Sequence, residues 1–269
     1  MIRRKTIVGL CLLCALAASA LAAQGASASK GTTAFTCKKT EKGGAGFSKA
    51  HCKAADAVGS GAAYEHVAVA EGTQTEISGT NAKTSSNTES TQAVKLKNTL
   101  AGVTYEISVG KVSGIGSVTN ARDSETGEHY VHGAAIVSFE ELTINPATCS
   151  VEGGKITSKE LVVTTKGQGD FVKFAPAVAG GQLTEYTLVG AECGLNATWK
   201  VYGTIKCPAD GATITCTHNT LTSEKTLREG NPTTGAITGI EGSMTLSAKD
   251  PTAGDKEFTA LSPTTVETP

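Results

Sequence analysis

Two adjacent glutamates, Glu140 and Glu141, are the side chains of this sequence best placed for acid–base chemistry. Val137 and Phe139 alternate on one face of an extended segment, and Leu142 and Ile144 alternate with the opposite parity. One extra residue must sit between the two pairs, which makes Glu140-Glu141 a candidate β-bulge, a device that re-aims side chains beside active sites. With Asp123 as partner, either glutamate could supply the carboxylate pair of a glycoside hydrolase, whose members stand about 5 to 9.5 Å apart. A solvated strand edge is the plainer meaning of the same residues. The second candidate is Glu128-His129-Tyr130-Val131-His132, because imidazole and carboxylate side chains bind borderline metals or trade protons. In a strand, residues three apart point to opposite faces, so His129 and His132 converge only in a turn or helix. The H-E-x-x-H pattern is absent, and Glu128, His129 and His132 read as part of a solvated hairpin. No G-x-S-x-G elbow supplies a serine nucleophile. The single tryptophan, Trp199, falls on an inward-alternating face, so an exposed aromatic platform for sugars is missing. No cofactor is expected.

The cysteines take their meaning from the N-terminus. Arg3, Arg4 and Lys5 precede an apolar run from Ile7 to Leu16 and a small-x-small site at Ala20-Leu21-Ala22, the pattern of a secretory leader. Cys11 and Cys14 have redox-motif spacing but lie inside that leader. The remaining six, Cys37, Cys52, Cys149, Cys193, Cys207 and Cys216, form an even set in an oxidising compartment and read as three disulfides. Cys37 and Cys52 close a short loop around Gly43-Gly44. Cys207 faces Cys216 if the intervening hairpin has a four-residue loop, Asp210 to Thr213. Cys149 with Cys193 follows by elimination. Removing Arg3, Arg4 and Lys5 takes the formal net charge from −1 to −4 and leaves Arg122 and Arg228 as the only arginines. Nucleic acid is therefore not an expected partner, since phosphate neutralisation needs clustered cations. No stretch reaches the roughly 20 apolar residues of a membrane-spanning helix.

The elements that must position these residues are short strands. Aromatics are 4% and charged residues 18% of the chain, while Gly, Thr, Ser and Ala abound, which favours thin strands and many turns over long helices. Val103, Tyr105, Ile107 and Val109 alternate with polar residues, as do Ile240, Gly242, Met244 and Leu246. Leu161 to Thr165 reads as a strand buried on both faces, and Thr198 to Lys206 as one strand carrying Trp199, Val201 and Ile205 inward. Residues 79–92 read as a polar loop or hairpin tip. These patterns predict an all-β fold, an antiparallel β-sandwich or open barrel of many short strands with disulfide staples. The expected organisation is a signal peptide over 1–22, a lead-in over 23–33, one all-β domain over 34–262 and a tail over 263–269.

Phe35-Thr36-Cys37, Phe47-Ser48-Lys49-Ala50-His51-Cys52, Gly72-Thr73-Gln74-Thr75-Glu76-Ile77 and Lys95-Leu96-Lys97 resemble a group of uncharacterised secreted proteins of soil actinobacteria. The likeness runs from about Ala34 to the last strand, and Cys207 and Cys216 lie outside its pattern. It implies a secreted β fold and carries no activity or site residue with it. The sequence thus points to a secreted, non-catalytic binding or structural protein with an extracellular or cell-wall partner. A hydrolase using the carboxylates near the bulge is the alternative, and a pore-forming β protein that inserts residues 73–100 is a third. Terminal sequencing of the chain from culture supernatant is expected to read from Ala23 or close to it. Recovery of an intact Met1 would overturn the leader assignment.

Overall fold

The computed structural model describes residues 31–40, 43–49, 52, 57–82, 94–100, 102–168, 171–210, 212–218, 226–249 and 258–265. The leader with its cleavage site, most of the expected lead-in, His51 and residues 83–92 of the polar loop lie outside them. The strands are β1 (Thr32–Lys39), β2 (Gly46–Phe47), β3 (Ala57–Val58), β4 (Tyr64–Ala68), β5 (Thr75–Asn81), β6 (Val94–Leu100), β7 (Val103–Arg122), β8 (His129–Asn145), β9 (Ser150–Val151) and β10 (Ile156–Thr157). They continue as β11 (Leu161–Thr164), β12 (Phe171–Pro176), β13 (Gln182–Val189), β14 (Ala197–Tyr202), β15 (Ile205–Asp210), β16 (Thr213–His218), β17 (Arg228–Glu229), β18 (Ala236–Ile237), β19 (Gly239–Lys249) and β20 (Phe258–Thr265). Strand structure thus reaches past both expected domain bounds, from Thr32 at one end to Thr265 at the other.

Eight of these strands close into an antiparallel barrel in the order β5-β7-β8-β11-β12-β15-β16-β19, with β19 returning to β5. Closure leaves no free sheet edge in the ring, and it turns the expected open barrel into a shut one. β6 lies in line with β5, so the two share the slot between β7 and β19: β5 pairs with Ser113 to Val118 and β6 with Val103 to Val109. β20, β1, β4, β2 and β3 continue the sheet outward from the end of β19. A second sheet, in the order β18-β17-β14-β13-β9, packs on the end of the barrel formed by β6, β7 and β8. Tyr105, Ile107, Val109 and Ile144 from the barrel meet Val151, Tyr186 and Leu188 from that sheet, all buried. Each such side chain contributes roughly 1.5 to 3 kcal/mol by leaving water.

The long strands change parity where the sequence demands it. Tyr105, Ile107 and Val109 point inward on β7, then Val112 and Val118; on β8 the switch falls between Phe139 and Ile144. The pairing register is the same above and below the switch, Val109 with Leu142 and Lys111 with Glu140. The expected bulge, two residues against one, is therefore corrected to a matched kink. Gly110 and Glu141 drop out of the ladder together, with Glu141 left-handed at φ 56°. Gly110 is needed there, since a Cβ would lie 2.9 Å from that of Glu141. Asn81 at the end of β5 seals the kink, donating to the Gly110 carbonyl at 2.9 Å and accepting from the Val112 N–H at 2.7 Å.

Three further expectations are amended. Leu161 and Val163 are buried while Val162 is 40% exposed, so β11 has one solvent face, with none of the described residues covering Val162 on the outside of the barrel. The expected strand Thr198 to Lys206 breaks at Gly203, whose φ of 114° carries the chain from one sheet to the other and where a Cβ would stand 1.8 Å from the Thr226 carbonyl oxygen. The three disulfides join Cys37 to Cys52, Cys149 to Cys193 and Cys207 to Cys216, as the spacing predicts. The last pair keeps its register, but Asp210 pairs with Thr213, so the ladder runs closer to the turn than a four-residue loop allows. Cys149 and Cys193 are 44 residues apart, and loop-closure entropy assigns such a bridge about 4 kcal/mol.

Asn120, 5% exposed, holds β1 across the far end of the barrel. Its side chain accepts from the Ala34 N–H at 2.8 Å and donates to the Ala34 and Val69 carbonyls at 3.0 and 2.7 Å. Asn120→Ala strands these buried groups and is expected to lower the unfolding free energy by about 1 to 3 kcal/mol in urea titration. Asn120→Asp, which cannot donate, is expected to cost at least as much at neutral pH.

Candidate functional site

The structure separates the carboxylates that the sequence groups. Glu140 is clamped between Lys155 at 2.8 Å and Lys111 at 3.4 Å, and the hydrogen bond from Lys155, then that from Lys111, lowers its pKa. A carboxyl held ionised in this way is poorly matched to general-acid work near neutral pH. Glu141 is exposed at the kink. Asp123 caps the β7–β8 turn: it accepts from the N–H groups of Glu125 and Thr126 at 3.0 and 2.8 Å and pairs with Lys166 at 2.5 Å. Lys166 first, then the backbone donors, hold its carboxyl well below the usual range. The ladder between Glu140 and His129, beside that turn, spans eleven residues, roughly 36 Å at ~3.3 Å per residue. Asp123 therefore does not pair with either glutamate in a glycosidase geometry.

The histidine cluster is dispersed as well. His129 opposes Arg122 on one side and is itself bridged to Gly31. His132 points to the outside of the barrel between Thr119 and Thr164, with its ring 5.8 Å from that of Tyr130. Glu128 accepts the Gly167 N–H at 3.0 Å. Among the described residues no three His, Cys, Asp or Glu side chains gather to hold a metal. Trp199 is half-buried against the core and donates to the Leu195 carbonyl at 3.0 Å.

A different constellation lies inside. Glu229, 1% exposed on the two-residue strand β17, is gripped from three sides where the second sheet meets the barrel. The Tyr105 hydroxyl donates to Oε2 at 2.5 Å, the Tyr186 hydroxyl to Oε1 at 2.5 Å, and the Asn98 amide to Oε2 at 2.5 Å. The phenol oxygens are themselves 2.5 Å apart. The two tyrosines come from facing sheets, so the cluster is a polar bolt through an apolar core. Burial, then the charge and hydrogen bonds of Glu229, push the Tyr105 pKa far above its ordinary value. Burial foremost, with Tyr105 and Glu229 beside it, does the same for Tyr186. Both phenols therefore keep their protons, and the cluster orders the interface without offering a phenolate base. Asn98 shares the alternation of Val94 and Leu96, a signal available in the sequence, whereas Glu229 has no periodic neighbour to announce it.

Beside the bolt is a hollow. The Tyr186 ring forms part of the wall of a cavity of about 110 Å³ between the barrel mouth and the second sheet. Phe139, Phe174, Ile205 and Ile214 wall it from the barrel, and Leu183 and Val201 from the sheet. Val137, Phe174, Val201, Ile205 and Ile240 stand between three fully buried clusters yet are themselves only half-buried, because each presents a side to this space. A second hollow of about 40 Å³ lies deeper in the barrel and shares Val137, Phe174 and Met244 with the first. Compared with family models, curated proteins and solved structures, the chain matches none.

The bolt makes stability depend on alkali. The folded state keeps both phenol protons above pH 10.0, their ordinary pKa, while the unfolded chain releases them. Stability from this source is complete below that pH and is lost as pH rises, by up to about 1.4 kcal/mol per pH unit for each phenol. Urea midpoints taken from about pH 9 to about pH 11.5 should fall, and Tyr105→Phe should flatten the fall by one phenol's share. An unchanged slope in that variant would contradict the bolt.

Proposed function

We infer that this chain is a secreted, non-catalytic binding protein that holds a small apolar molecule inside its barrel. The observation that carries the reading is the apolar cavity of about 110 Å³ at the barrel mouth. Eight-stranded barrels are just wide enough to be filled by side chains or to hold one small ligand. This one has a glycine or small residue at several inward positions, Gly79, Gly114 and Ala135 among them. Glu140 and Asp123 are held in ion pairs and Glu128 on a turn N–H, while Glu141, His129 and His132 stand apart from them and from one another along β8, which favours binding over turnover. The leader pattern and three disulfides support an extracellular setting. No helix of the described residues is long and apolar enough to cross a membrane.

The test is made on the mature protein from its producer. Organic extraction followed by mass spectrometry is expected to release an apolar small molecule, and a panel of secreted-hydrolase substrates is expected to show no turnover. Turnover that is abolished by Glu140→Gln or Glu141→Gln in a folded protein would make the kink an active site and end the binding reading.

A further inference from the structure

We propose that the two hollows are a single site for one small, uncharged, apolar ring, with the Met244 side chain as its movable divider. The inference rests on the binding reading above and specifies the ligand class. Three residues wall both hollows, Val137, Phe174 and Met244. Val137 is stiff at χ1 and Phe174 is a rigid ring, whereas Met244 has three rotatable bonds and a soft thioether suited to changing shape.

Met244 also has a place prepared for it. Its terminal methyl lies over the bare backbone of two adjacent strands, where Gly79 pairs with Gly114: a Cβ on Gly79 would stand 2.6 Å from Met244 Cε, and one on Gly114 3.2 Å. The two glycines make a slot in the barrel wall that receives the methyl. With the methyl in the slot, the remaining space belongs to the hollows. Together these approach the size of an engineered apolar cavity of about 150 Å³ that takes up benzene.

The lining fixes the chemistry. It contains no Lys, Arg, Asp or Glu, so a charge brought in would lose its water and meet no partner. The Thr184 and Thr238 hydroxyls donate to the Thr157 and Lys97 carbonyls, and Ser243 is paired with Thr215. Ser158 accepts from the Val137 N–H at 2.9 Å and Thr165 from the Val131 N–H at 2.9 Å, and each hydroxyl keeps its own proton, so the lining can meet a hydrogen-bond acceptor on the ring at one or two points and offers nothing for a charge.

Met244 is the one methionine besides Met1, so the mature chain labelled with methyl-¹³C methionine reports on this divider by a single resonance. Benzene titration is expected to move that resonance saturably, and benzoate to leave it in place. Gly79→Ala forces the methyl out of its slot and into the ligand space. A misfit of one methyl group in an apolar pocket changes affinity about 10- to 200-fold, so benzene should bind at least about tenfold more weakly. Gly114→Ala, with its looser 3.2 Å approach, should give a smaller loss and serves if the first variant does not fold. A Met244 resonance that ignores benzene, an equal response to benzoate, or benzene affinity unchanged in both variants would overturn the proposal. A larger apolar molecule extracted from the native protein, with benzene failing to reach Met244, would refute the ring-sized site and leave the binding reading standing. Benzene binding alongside turnover lost in Glu140→Gln would do the reverse.

Discussion

Closure of the barrel through β19 is the constraint on which the rest of the structure depends. β19 is joined to four strands, β16 and β20 on one edge and β6 and β5 on the other. Unpaired backbone groups in a buried strand are expensive, so each length of β19 must find a partner on both sides. That requirement places β5 and β6 end to end and brings β16 to the other edge. It also sets Gly242 and Met244 facing inward at the level where β7 and β8 kink. The alternation of Ile240, Gly242, Met244 and Leu246 is the sequence expression of this position, with one face committed to the interior along its whole length.

What fills the interior follows from composition. With 4% aromatic residues the chain lacks the volume to pack both a barrel and the layer between its mouth and a second sheet. Protein interiors approach crystal density, so a shortage of volume at inward positions is expressed as discrete space and not as general looseness. The polar bolt of Glu229, Tyr105, Tyr186 and Asn98 has the complementary part. It fixes the second sheet at a set distance from the barrel and so keeps the space between them from collapsing. A buried carboxyl whose partners are all hydrogen-bond donors tolerates little displacement, since each lost donor leaves a stranded polar atom.

Local pattern carried much of this fold. The alternation at Val103 to Val109 placed Tyr105 inward, the opposed parities of Phe139 and Leu142 marked the kink, and cysteine spacing named all three bridges. Misreadings arose where distant partners decide. The residues of β8 alone spell a one-sided bulge, and only the matching switch of β7 at Gly110 makes it a kink. Thr198 to Lys206 looked like one strand because its alternation survives Gly203, although the residues on either side belong to different sheets. Glu229 was illegible for a physical reason: its strand has two residues, and Tyr105 and Tyr186 lie 124 and 43 positions away. Ring closure is equally non-local, as Ile77 pairs with Ala248.

That last pairing bears on how the chain reaches its native form. β7 and β8 are joined by a short turn and make the most extensive pairing in the molecule, so their ribbon can assemble from neighbouring sequence. The ring cannot shut until β19 arrives, and β19 follows nearly every strand it completes. A chain emerging N-terminus first therefore exposes the outer edges of β5 and β6 through most of its synthesis, and that of β16 near its close, the arrangement that templates association between copies. High contact order of this kind slows folding as well. β19 thus acts as a latch on assembly, and its removal would release a sticky, open-sided sheet while sparing every residue of the β7–β8 ribbon.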